Sequence, residues 1–358
     1  MKNKKIAVGL SGGVDSTLTA LLLQQQGFEV MGVTLKLHDR GATDTTGKAC
    51  GGNQSTLRAQ KSADELGIPL HVIACCQKFE SRVLKKSWEA FETGSTPNPC
   101  FICNTTVKFA ELLNTARTLG ADQIATGHYA RIEFDSWQNP VLKRGLDTNK
   151  DQSYFLSGLS PEVLNQTLFP LGSMQKNDVK KLASTYGLSS STLKESQDLC
   201  FAGPEGHFSN ALCSRFSGKS TPGVFMDVSG KQLGTHNGIH QYTIGQRRGL
   251  GFATGERVKI ISINPDSGVI VVSGGKEAAC TLQCRAVQFN WSREPLECGE
   301  RAMAQVRYRQ TAVEAVIENN DHNSLQLRFT TPVFGVSPGQ LIVLYKDDCV
   351  LGCGTITR

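Results

Sequence analysis

Lys4–Gly27 reads KKIAVGLSGGVDSTLTALLLQQQG, and this stretch decides the fold. KKIAVGL is a short apolar run that ends in glycine, as a buried strand does. DSTLTALLLQQQG has helical periodicity, an acidic first turn and a terminal Gly27 as a stop signal. GLSGGVDS, Gly9–Ser16, lies between strand and helix. Further strands are predicted at FEVMGVTLKL, PLHVIACC and ADQIATGHYA. Helices are predicted at QSTLRAQKSADELGI, FESRVLKKSWEAFETG, VKFAELLNTARTLG and KNDVKKLASTYG. This alternation implies βαβ units around a parallel sheet.

The pattern changes after SQDLCFAGPEGHF. From about Val224 short strands replace helices, and ENNDHNS is expected as a turn between two of them. The fold class is therefore α/β: an N-terminal parallel-sheet domain over 1–205, a small mostly-β domain over 206–278 and a C-terminal β-barrel over 279–358.

The 358 residues are 39% hydrophobic and 20% charged, which fits soluble globular domains. No segment approaches the ~18 apolar residues of a membrane helix. The apolar run Ile6–Leu10 is too short for a signal-peptide core, so a cytoplasmic protein without membrane contact is expected. The net charge of +6 permits a polyanionic partner. Twelve cysteines in a reducing compartment are mostly small buried side chains rather than a disulfide framework. Cys75, Cys76, Cys349 and Cys353 read as core, and Cys280–Cys284 is spaced loosely like a metal half-site, with no clear second half-site after it.

Glycines between a strand and a helix let backbone N–H groups approach phosphate, and the helix dipole favours the anion. GLSGGVDS lacks the Gly-Lys-Ser/Thr of a Walker loop. It resembles the PP-loop of the ATP pyrophosphatases, which implies cleavage between the α and β phosphates. The resemblance implies ATP contacts at Gly9, Leu10, Ser11, Gly12, Gly13, Val14, Asp15 and Ser16, with Asp15 helping to hold Mg²⁺.

TPNPCFICN, TGHYAR, KDQSYFL, ESQDLCF, YTIGQRRGLGF and VRYRQ follow in that order. Together they resemble the bacterial tRNA-uridine 2-sulfurtransferases, from about Ile6 to the end. The resemblance implies that ATP adenylates the C2 oxygen of the wobble uridine (position 34) and that sulfur then displaces AMP. The expected catalytic pair is Cys103 and Cys200, with a persulfide on Cys200 and a Cys103–Cys200 disulfide formed as sulfur is released. Leu35 and Gly127 join the nucleotide site. Asn98, Pro99, Cys100, His128, Lys150, Asp151, Gln152, Arg307, Tyr308 and Gln340 are the implied tRNA contacts. The implied partners are the Lys, Glu and Gln tRNAs and a sulfur donor: a cysteine desulfurase, a sulfur-relay carrier or inorganic sulfide.

The chain departs from the commoner family pattern at Cys100, where many members carry Asp. With Cys103 and Cys200 it makes three thiols, enough for a [4Fe–4S] cluster with one open iron. The cluster and the persulfide stand as alternatives, with zinc a third. A PP-loop small-molecule ligase explains Gly9–Ser16 but not Cys103, Cys200 or the β-rich end. A non-catalytic RNA-binding protein does not need the loop.

Overall fold

A computed structural model describes residues 4–38, 53–193, 208–275, 278–321 and 323–358. Two compact units emerge: Met1–Val83 with Cys100–Pro204 and Asp348–Val350, and Leu84–Pro99 with Glu205–Asp347 and Leu351–Arg358.

The first unit holds β1 (Lys5–Gly9), β2 (Glu29–Lys36), β3 (Leu70–Ala74), β4 (Gln123–Ala125) and β7 (Thr167–Leu168), with β5 (Ala130–Phe134) and β6 (Pro140–Arg144) between the last two. The five-stranded sheet has the order β3-β2-β1-β4-β7, and all of its pairings are parallel. Ile6, Ala7 and Val8 of β1 are wholly buried, as a central parallel strand requires. Helix α1 (Val14–Gln25) and helix α2 (Asn53–Leu66) pack Ala20, Leu23, Ala59 and Ala63 with Ile6 and Val8. Strand order reverses beside β1, which opens a crevice at the carboxyl ends of β1 and β4.

One expectation changes here. ADQIATGHYA is not one strand: β4 stops at Ala125, and Ala130 begins β5, which pairs antiparallel with β6. Gly127 explains the break, because a Cβ there would lie 2.8 Å from the Asp15 backbone. The chain must turn where it meets α1. Cys349, at the start of the last strand, pairs with Lys143 of β6, and Arg131 forms an ion pair with Asp348.

The second unit contains two β structures. β8 (Gly223–Met226), β9 (Gln232–His236), β10 (Lys259–Ile263) and β11 (Val269–Ser273) form a four-stranded sheet around Phe225, Ile260, Ile270 and Val272. β12 (Cys280–Trp291), β13 (Arg301–Gln305), β14 (Val313–Asp321), β15 (Ser324–Phe334), β16 (Leu341–Lys346) and β17 (Cys349–Thr357) form a six-strand barrel, closed where β12 pairs with β17. Alternate residues fill it: Leu325, Leu327 and Phe329 from β15, Ile342 and Leu344 from β16. The expected turn ENNDHNS is mostly strand, since Asn319, Asn320 and Asp321 pair with β15. Helix Phe208–Arg215 was not foreseen in this region.

Candidate active site

Gly9 ends β1 and Val14 begins α1, so GLSGGVDS is the connecting turn. Gly12 takes φ +72°, and a Cβ there would sit 2.4 Å from Arg58 of α2. Only glycine fits both the backbone and the space. Gly13 caps α1 in an extended conformation, with no side-chain hydrogen bond to the first turn. The first-turn amides thus have no side-chain cap, as an anion site requires. The serines lock the turn: Ser16 Oγ accepts from Ser11 N at 3.1 Å and donates to Gly13 O at 3.1 Å.

Asp15 is fixed from two sides. Its Oδ1 accepts from Tyr129 Oη at 2.7 Å, and Lys176 Nζ reaches Oδ1 and Oδ2 at 2.6 and 2.8 Å. Lys176 is buried at the start of helix Lys176–Thr185, and its backbone N–H donates to Asp147 at 2.9 Å. Tyr129 N–H donates to Gln152 at 2.9 Å, which joins the same frame.

A cleft of about 370 Å³ opens above this turn. Gly9, Leu10, Ser11, Asp15 and Ser16 line it, as do Leu35 and Gly127; Gly12 and Gly13 shape the turn. Val14 is buried beneath, against Leu18 and Tyr129. Cys100 and Cys103 line the same cleft, the second of them buried. They lie on Pro99–Cys103, which continues through a π-helical turn, Asn104–Lys108, into helix Phe109–Thr118. Cys200 lies outside the described residues. Among the described residues no group of three His, Cys, Asp or Glu can hold a metal, Cys280 and Cys284 included.

Residues assigned to tRNA from sequence fall in both units. His128 and Gln152 line the cleft. His128 stacks on Phe109 at 5.8 Å and shares a 2.7 Å hydrogen bond with Thr126. Burial pushes its pKa well below the usual histidine value, and the Lys108 charge acts in the same direction. Lys150 is half-exposed beside Asp147. Asp151 is buried and accepts from Arg144, Gly145 N–H and both Ser153 donors, so it holds its own loop. In the second unit Gln340 donates to Thr96 O at 2.9 Å and Pro97 O at 3.1 Å, next to buried Asn98 and to Pro99. Arg307 Nη2 donates to Ile244 O at 3.4 Å, and the Arg309 guanidinium lies 5.3 Å over the Tyr308 ring.

Sequence reasoning missed Lys108, Tyr129 and Lys176. Helical spacing from Cys103 and Asn104 points to Lys108. No local pattern points to Lys176. Reading Cys75 as core agrees with its burial, which with nearby Glu111 pushes the thiol up to about 11; Cys284 is pushed to about 12 by burial alone.

A doubly wound parallel sheet, a lysine-free glycine turn at its reversal point and a β-rich remainder define a PP-loop ATP-utilising protein with appended β domains. The comparisons narrow the class. Residues 4–204 match the family described as "tRNA methyl transferase HUP domain", 211–274 its PRC-barrel domain and 281–356 an aminomethyltransferase β-barrel domain. Curated tRNA-specific 2-thiouridylases align end to end. That of Desulforamulus reducens is 40% identical, covering 99% of this chain and 97% of its own. That of Rickettsia bellii is 38% identical over 100% and 97%, and that of Methylobacterium radiotolerans 40% over 99% and 94%. The chain belongs to the tRNA-specific 2-thiouridylase (MnmA) family.

Proposed function

We propose that this chain is an ATP-dependent tRNA-uridine 2-sulfurtransferase that thiolates C2 of the wobble uridine. One observation carries the reading: the PP-loop and Cys103 line the same cleft. A nucleotide loop and a nucleophilic thiol facing one space suit activation and sulfur transfer at one carbon. The small-molecule ligase reading leaves the thiol wall without a task.

ATP fits as co-substrate. Gly12 lets the turn close against α2 and Gly127 lets its segment pass against Asp15, where a Cβ would collide, and the start of α1 lacks a side-chain cap. Mg²⁺ suits a carboxylate plus phosphate oxygens, and Asp15 is the acidic side chain lining the cleft. Bound there, the ion would neutralise phosphate charge. Lys176 and Tyr129 hold Asp15 in its rotamer.

The reaction runs in two steps. The C2 oxygen of uridine bonds to the α-phosphorus, and the bond to the β-phosphate oxygen breaks, releasing pyrophosphate. Cys103 thiolate then attacks Sγ of a Cys200 persulfide. A Cys103–Cys200 disulfide forms and the outer sulfur leaves as hydrosulfide. Hydrosulfide adds at C2, and the C2–O bond breaks with AMP leaving. A cellular dithiol reduces the disulfide for the next cycle. Thiolate formation depends on positive surroundings.

A cluster needs three thiols, and the described residues bring two, Cys100 and Cys103, to the cleft. Cys200, the third, lies outside the described residues. The steps above are those of the persulfide, with Cys100 a helper thiol beside Cys103, and a [4Fe–4S] cluster on Cys100, Cys103 and Cys200 is the alternative. The division 1–205, 206–278 and 279–358 gives a catalytic domain, a small central domain and a barrel that meets tRNA through Arg307, Tyr308 and Gln340. Lys, Glu and Gln tRNAs, a desulfurase or relay protein as sulfur donor and a cytoplasmic location complete the reading. Among the described residues no helix is long and apolar enough to cross a membrane.

Nucleoside mass spectrometry of unmodified tRNA incubated with the enzyme, ATP, Mg²⁺, a desulfurase and cysteine tests this. The expected product is 2-thiouridine at position 34. A methylated uridine, or thiolation elsewhere in the tRNA, overturns it.

A further inference from the structure

The loop GLSGGVDS contains no cation, yet the proposed reaction places a triphosphate on it. Amides and hydroxyls supply dipoles, while polyphosphate also favours full positive charges. Among the described residues lining the cleft, Lys108 is the single Lys or Arg. Its ammonium forms no hydrogen bond or ion pair with another described residue. Asp15, the acidic residue of the cleft, is already matched by Lys176. His128, beside Lys108, is held neutral near pH 7 by burial and by that same ammonium. Lys108 is thus a cation facing the cleft with no counter-charge of its own there.

Helical spacing puts it there. Cys100, Cys103, Asn104 and Lys108 fall on one stripe of the helical stretch that begins at Pro99, and all of them line the cleft. The wall that offers the thiol therefore offers the charge. The β and γ phosphates, which leave together, belong with the glycine turn and the start of α1. The α-phosphate becomes bonded to the substrate oxygen and must lie toward the thiol wall.

We infer that Lys108 is the cationic contact of the α-phosphate, donating to its non-bridging oxygens through pyrophosphate release and AMP departure. It offsets charge that grows on those oxygens. The inference rests on the sulfurtransferase reading of the first unit.

Equilibrium binding of ATP with Mg²⁺, of adenosine and of tRNA tests it in the full chain. Lys108→Met is expected to raise the ATP Kd about tenfold or more. Lys108→Arg should stay within about threefold of wild type, since the charge remains. Adenosine and tRNA affinities should not change. Unchanged ATP affinity in Lys108→Met overturns the inference. So does an equal loss for adenosine, which makes the residue structural, or a loss for tRNA alone, which makes the contact a tRNA phosphate. Should Lys108→Met lower the thermal midpoint, Lys108→Gln against Lys108→Arg decides: weak ATP binding only in the former is expected, and equal binding contradicts it. Wild-type protein that binds no ATP removes the parent reading instead.

Discussion

Lys176 Nζ lies 2.6 and 2.8 Å from the two carboxylate oxygens of Asp15, although 161 residues separate them in sequence. The pair ties the first turn of α1 to the start of helix Lys176–Thr185, and Tyr129 completes it from the residue before β5. A buried ammonium is tolerated only beside such a partner. Lys176 is therefore a positioning residue for the acid of the loop.

Lys176→Met should lower unfolding stability by about 2 kcal/mol, because it strands a hydrogen-bonded carboxylate. Pairing it with Asp15→Asn should regain part of that stability without regaining AMP release. Chemical denaturation and turnover of the two single variants and the double variant check this. Additive stability losses would remove the pair from the account.

Gly12→Ala should abolish ATP binding. The added Cβ meets the Arg58 backbone at 2.4 Å and the left-handed φ is strained, so either the turn or α2 must move. Gly13→Ala should cost far less: its nearest contact would be Ser11 Oγ at 3.6 Å and its φ is −87°. Titration of both variants with ATP compares them, and equal affinities would contradict the turn geometry.

Stability should fall as the pH drops below about 6.5. Burial lowers the pKa of His128, His236 and His240 from the usual histidine value of 6.5. The unfolded chain then takes up protons that the native state refuses. Each such group costs up to about 1.4 kcal/mol per pH unit until its folded pKa is reached. Above pH 6.5 the contribution is fully present. His128→Gln should flatten the unfolding midpoint against pH between 6.5 and 5, and an unchanged slope would show that His128 titrates normally.

Cys103→Ser and Cys200→Ser should each abolish thiolation and leave tRNA affinity unchanged. Protein purified without oxygen should hold no stoichiometric iron, and Cys100→Ala should slow the reaction without stopping it. About four iron and four acid-labile sulfide per chain, lost in Cys100→Ala, would replace the persulfide with a cluster.

Part of this was legible in the sequence. Gly9–Ser16 sits where its flanking patterns put it, because a buried parallel strand and a glycine turn have strong local signals. The Cys100–Cys103 pair was legible as spacing, but not that it lines one cleft with Asp15. Lys176 was not legible, since its partner comes from tertiary packing. β5 and β6 escaped because the alternation after Tyr129 is short and polar. β12 escaped because register shifts, and a positive φ at Gln288, interrupt its pattern of buried residues. Asp151 reads as a tRNA contact only through the resemblance, and its burial and four hydrogen bonds, which no local pattern announces, hold its own loop.

The most direct test measures AMP, pyrophosphate and 2-thiouridine together, with and without unmodified tRNA. The account predicts negligible release without tRNA and one AMP and one pyrophosphate per thiouridine with it. AMP released at the same rate without tRNA would contradict it and make the chain a small-molecule ligase.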